Sequence, residues 1–148
     1  MPCTRGQLWD ELMEKMKTEH VVGCSNNTKG QERPQSTKKG IQLNRAYSLV
    51  TGGEFEDNKL MRLRVPLDQH GHATEWNGKW SDDSTAWTAR LRQMLHFSKN
   101  SDDGTFWIEY NDFCRHYNKA RATLPQFTVR AGLAWGRQDS VGIGGHSY

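Results

Sequence analysis

Two neighbouring stretches of period-two alternation constrain this chain more than anything else in it. From Lys59 to Val65, KLMRLRV sets Met61, Leu63 and Val65 on one side and Arg62 and Arg64 on the other, the pattern of a half-buried strand. The stretch before it, Ile41 to Val50 (IQLNRAYSLV), sets Ile41, Leu43, Arg45, Tyr47 and Leu49 on one side. Gly52-Gly53 ends or bulges that strand, and Asp57-Asn58 turns the chain into the next. One residue disagrees with this pattern: Arg45 puts a guanidinium, which stays protonated, in the middle of a face otherwise fit for burial.

Other elements follow from the same kind of reading. Gln7 to Lys17 (QLWDELMEKMK) carries Leu8, Trp9, Leu12, Met13 and Met16 on one helical stripe, and Thr4-x-x-Gln7 has the spacing of a capping box. His20 to Ser25 suits a short buried strand, and residues 26–40 form a polar loop with two Gly and a Pro. Ala86 to Phe97 suits a helix with Trp87, Leu91, Met94 and Leu95 inward. Thr105 to Glu109 (TFWIE) reads as a strand, Asn111 to Tyr117 as a short helix or turn, and Phe127 to Arg130 as a further strand. Nothing after Gly132 has an obvious way to bury itself. Together these predict an α+β fold, mainly antiparallel β, with a few short helices.

An apolar fraction of 34 % is low for one domain, but six Trp, five Phe and four Tyr argue for a core built from a few large aromatics. Trp76, Trp80, Trp87 and Trp107 are read as core residues. The net charge of +3 is uneven, since residues 1–45 carry eight Lys/Arg against five Asp/Glu. Much of that excess lies in the polar loop, so no nucleic acid partner is expected. Cys3, Cys24 and Cys114 form no C-x-x-C pair, and no apolar run is long enough for a signal peptide or a membrane span. A reduced, cytoplasmic protein is the expectation.

Few residues are arranged for chemistry. Cys114 with His116 is C-x-H and His70 with His72 is H-x-H, yet neither has a second pair at zinc-site spacing. Glu75 to Ser84 packs two Trp and three carboxylates into a loop, and Asp102-Asp103 follows about twenty residues on. Such oxygen ligands suit Ca²⁺, though not at EF-hand spacing.

The ordered set GCS (23–25), AYS (46–48), LMRLR-x-P (60–66), EWNGKWSD (75–82), DDGTFW (102–107) and DFCRHY (112–117) resembles the second lobe of the papain-like calpain cysteine-protease core. The resemblance implies a lobe over residues 1–125. It also implies that residues 126–148, ending AWGRQDSVGIGGHSY, are a truncated start of the β-sandwich domain that follows that core, or a flexible tail. Active calpains use a Cys-His-Asn triad split between two lobes. The first-lobe Cys motif does not occur here. The G-H-A-Y and R-N-P-W motifs of the second lobe read Asn44-Arg45-Ala46-Tyr47 and Arg64-Val65-Pro66-Leu67, so Arg45 and Val65 occupy the His and Asn positions. The family's Ca²⁺ ligands carry over to Glu75, Asp82 and Asp103, with the Ser101 backbone as a further candidate. The last family Glu is Thr105, which weakens the site, and His70-Gly-His72 is an insertion beside the loop.

Arginine has no lone pair to take a thiol proton, and valine cannot hydrogen-bond an imidazole. The resemblance therefore implies a pseudoprotease acting as a regulatory or interaction module, whose partner is another protein or the missing first lobe. The alternative it leaves open is a portion of a calcium-dependent cysteine endopeptidase whose first lobe lies outside this chain.

Overall fold

The computed structural model describes residues 4–18, 20–28, 36–66, 75–97 and 104–123, and the backbone of 140–142. The elements in chain order are α1 (Arg5–Lys17), β1 (Val21–Ser25), β2 (Tyr47–Phe55), β3 (Asn58–Arg64), α2 (Ala89–Met94), β4 (Thr105–Glu109), α3 (Tyr110–His116), β5 (Lys119–Thr123) and β6 (Ser140–Gly142). The strands form one sheet in the order β4-β3-β2-β1-β5-β6, and every pairing is antiparallel. The α+β, mainly antiparallel expectation holds. Among the described residues, no helix is long and apolar enough to cross a membrane.

Local chemistry explains the clearest elements. Helix α1 begins with the expected capping box: Thr4 Oγ1 accepts from the Gln7 N–H at 3.1 Å, and Gln7 Oε1 accepts from the Thr4 N–H at 2.9 Å. Its buried stripe is Leu8, Trp9 and Leu12, with Met13 and Met16 partly buried behind it. The β2–β3 hairpin turns at Glu56-Asp57, one residue earlier than expected. Both residues have positive φ (51° and 66°), which matches the twist of the two strands, and Asn58 Nδ2 holds the turn through the Phe55 and Glu56 carbonyls.

The two faces of the sheet are buried differently. On one face, Val22, Cys24, Tyr47, Leu49, Met61, Leu63, Phe106 and Ile108 pack beneath α1 and α3. On the other, the cover among the described residues lies at the β3–β4 end, where Leu60 and Trp107 meet Trp80, Trp87, Leu91 and Leu95. Trp9 and Trp76 join the first cluster, and Trp80, Trp87 and Trp107 join the second.

Several expectations need correction. The strand read from Ile41 begins only at Tyr47, because Leu43-Asn44 is a turn with Asn44 at φ 59°. Ile41 and Gln42 are buried while Arg45 is exposed, so these residues never share one face. Gly52-Gly53 does not end β2; the register shifts between Leu49 and Thr51 instead. The 86–97 helix shrinks to Ala89–Met94, where Thr88 Oγ1 caps the Leu91 N–H, and Met94 is 42 % exposed rather than inward. β5 was not expected at all. Nor was β6, whose backbone pairs with it. The strand expected over 127–130 lies outside the described residues.

Candidate functional site

Positions 45 and 65 are far apart in sequence and meet through the hairpin. The last β2–β3 pair is Ser48 with Arg64, so Arg45, two residues before β2, and Val65, one residue after β3, lie at the same end of the ladder. Val65 is buried and its N–H donates to the Gly104 carbonyl at 2.8 Å. Arg45 is exposed, behind a turn that the Asn44 N–H fixes to the Asn26 carbonyl at 2.8 Å. Leu67, the next residue of the resemblance, lies outside the described residues.

Gln42 ties this end together, which sequence reasoning missed. Its N–H donates to the Tyr47 hydroxyl at 2.8 Å, and its Nε2 donates to the Pro66 carbonyl at 3.0 Å. A buried glutamine in an isolated bridge to Ser36 carries no local signature, so only the fold exposes its role. Burial pushes the Tyr47 phenol up to about 12, against the smaller opposing effects of the Gln42 amide and the Tyr117 hydroxyl. Tyr117, edge-on to Tyr47 at 5.2 Å, is also raised by burial.

The described cysteines are poor nucleophiles here. Cys24 and Cys114 are both buried free thiols, and burial raises the pKa of each, keeping the thiol protonated. Cys3 lies outside the described residues. Cys114 and His116 are two residues apart on α3 and so point to different sides of the helix. The His116 ring instead meets Trp76 edge-on at 4.9 Å, and burial lowers its pKa.

The acidic loop is bound to the body at two ends. Near residue 40, the Asn77 N–H donates to the Lys39 carbonyl at 2.9 Å. Gly40 (φ +95°) passes so close that a Cβ there would lie 2.1 Å from the Glu75 carbonyl oxygen. Farther on, the Trp87 indole N–H donates to the Ser81 and Trp80 carbonyls at 3.0 and 3.3 Å, immediately before Asp82. Glu75 and Asp82 are half-buried, and Asp103, Ser101, His70 and His72 lie outside the described residues. Among the described residues, no three His, Cys, Asp or Glu are grouped to hold a metal. At the position of the family's last Glu, Thr105 is buried and its Oγ1 accepts from Arg62 Nε at 2.8 Å. A guanidinium next to that position opposes a divalent cation, so the described part of the donor set fits Ca²⁺ poorly.

A hairpin whose open end carries positions 45 and 65, with α1 and α3 on one face and the Trp80–Trp87 cluster on the other, is the architecture of one lobe of a two-lobed cysteine-protease core. The profile of the calpain family cysteine proteases matches residues 2–123, and the chain belongs to that family. Over 112 residues it is 31 % identical to the calpain-type cysteine protease ADL1 of Oryza sativa subsp. japonica, covering 76 % of this chain and 5 % of that protein. It is 29 % identical over 118 residues to the calpain-2 catalytic subunit of Mus musculus, and 31 % identical over 121 residues to that of Gallus gallus. Each of those matches covers 76 % of this chain and 16 % of the relative. The chain thus spans a small part of the curated relatives it matches.

Proposed function

We propose that this chain is a catalytically inactive calpain second lobe, a regulatory or interaction module and not a peptidase. What supports the reading is the pair of side chains at the hairpin's open end: an exposed guanidinium at position 45 and a buried valine at position 65. Neither can take a proton from a thiol or orient an imidazole. The reading keeps the lobe at residues 1–125 and places residues 126–148 at the entry of the following domain. It places the protein in the cytoplasm, with another protein or a first protease lobe as partner.

The test supplies a calpain first lobe in trans with Ca²⁺ and a fluorogenic peptide. The expected result is no turnover by the unaltered chain, and turnover only after both Arg45→His and Val65→Asn. Turnover by the unaltered chain would overturn the reading and favour a portion of an active calcium-dependent endopeptidase whose first lobe lies outside these residues.

Calcium enters this proposal as a weak ligand of Glu75, Asp82 and Asp103. With one carboxylate replaced by Thr105, and Arg62 beside it, affinity is expected near the weak end for protein sites, with a Kd of about 10⁻⁴ to 10⁻³ M or weaker. Calorimetric titration of the chain and of Asp82→Ala measures this. Micromolar binding lost in Asp82→Ala would show the site intact.

A further inference from the structure

We propose that the open face of the sheet over β1 and β5 is a docking shelf for an extended acidic polypeptide. The inference gives a place to the interaction role proposed above and rests on it. Strand alternation defines the shelf. Val22, Cys24, Ala120 and Ala122 are buried towards α1 and α3, so Val21, Gly23, Ser25, Lys119, Arg121 and Thr123 point the other way. Among the described residues, the Trp80–Trp87 cluster lies on that side at β3 and β4, with Phe55 at the hairpin end of β2. Lys119 and Arg121 are exposed, and Val21 is 52 % exposed.

Registered pairs set out the floor. Ser48 pairs with Gly23, which pairs with Arg121, and Ser25 pairs with Lys119. A Cβ built on Gly23 would touch only the Tyr47 and Arg121 carbonyl oxygens, at 3.7 and 3.9 Å, so the floor there is backbone. The centre of the shelf is therefore a shallow Gly/Ser trough with two cations along one side and an aliphatic side chain at one end. None of these strand positions carries a carboxylate. On β3, Arg64 adds charge beyond Ser48 but has contacts of its own, so the shelf depends on Lys119 and Arg121.

That chemistry selects an occupant. Lys119 and Arg121 are two residues apart on one strand, roughly 7 Å, the repeat of alternate side chains in an extended segment. A partner with carboxylates at i and i+2 can meet Lys119 and Arg121, and an aliphatic residue at i+4 then lies at the Val21 end. A single-stranded nucleic acid would want aromatic platforms, and these positions have none. A membrane surface would want a larger apolar insertion than one valine.

The test is fluorescence anisotropy of the whole chain with a fluorescein-labelled peptide of repeating Glu-Ser-Glu-Ser-Val-Ser, which puts two carboxylates and a valine on one side. A Lys-for-Glu version, single-stranded RNA and phosphatidylserine vesicles are the competing probes. The expected result is salt-sensitive binding of the acidic peptide alone, weakened at least tenfold by Lys119→Glu with Arg121→Glu and less by the paired alanine variant. Unchanged circular dichroism would show that the variants fold. Absent acidic-peptide binding, equal binding by the charge-reversed variant, or preference for RNA or vesicles overturns the shelf. Each of these outcomes leaves the inactive-lobe reading standing, and peptidase turnover would remove that reading without touching the shelf.

Discussion

Replacing Trp87 tests how the acidic loop is held to the sheet. Its ring stacks on Phe97 at 3.9 Å and meets Trp80 and Trp107 edge-on at 5.2 and 6.3 Å, and the side chain is buried. Removing a buried Trp costs about 3–5 kcal/mol. The lost indole hydrogen bond and ring pairs fall partly inside that range, because such contributions do not add. Trp87→Ala should therefore destabilise the chain by about 4 kcal/mol, a large part of the roughly 5–15 kcal/mol that holds a domain together. Trp87→Phe keeps an aromatic ring and loses the N–H donor, so about 1–2 kcal/mol is expected. Urea unfolding with an unchanged m-value measures both.

The phenylalanine variant separates anchoring from packing. It removes the bonds to the Trp80 and Ser81 carbonyls, so native-state trypsin should cut after the exposed Lys79 faster than in the parent chain. Loss of under 1 kcal/mol in Trp87→Ala, or equal costs for both variants, would refute this account of the second core. Unchanged cleavage at Lys79 would refute the anchoring role.

Two further changes probe the loop's other end and its neighbour. Gly40→Ala should cost about 2–4 kcal/mol, because the obstacle is the Glu75 backbone, which cannot swing aside, and φ is +95°. Gly104→Ala is the control: φ is also positive but a Cβ would meet nothing within 4 Å, so urea unfolding should show a smaller loss, about 1–2 kcal/mol. For His116, burial lowers the folded-state pKa below the ordinary histidine value of 6.5, so the unfolded chain takes up the proton first as pH falls. Its contribution is fully present above about pH 6.5 and is lost as pH drops towards the folded-state pKa. Thermal unfolding of His116→Gln should lose that part of the acid slope, and an unchanged slope would refute the assignment.

What could be read in the sequence was whatever depended on neighbours in the chain. The α1 capping box, β1, the alternation of β3 and the apolar run of β4 each carry their cause within a few residues. β5 escaped notice because KARAT buries only two alanine methyls, so its alternation carries little apolar signal. Leu60 was not placed in the core because the side assigned to Arg62 and Arg64 is polar over most of β3. Only the packing of Trp80 and Trp87, from the loop that leads into α2 twenty to thirty residues on, makes its end of that side a second core. The candidate site divides in the same way. Resemblance picked out positions 45 and 65, whereas Gln42 and the Arg62–Thr105 contact needed the β2–β3 and β3–β4 registers. Arg45 shows why. Alternation counted back from Tyr47 puts it on the buried face, but β2 begins only at Tyr47, and Arg45 lies in the short non-strand piece between the Leu43-Asn44 turn and that strand. The guanidinium is never asked to enter the core, and a cation at the open end of a hairpin keeps its hydration at little cost. An arginine at position 45 is therefore compatible with an undisturbed fold, which is a condition that the proposed binding role must meet.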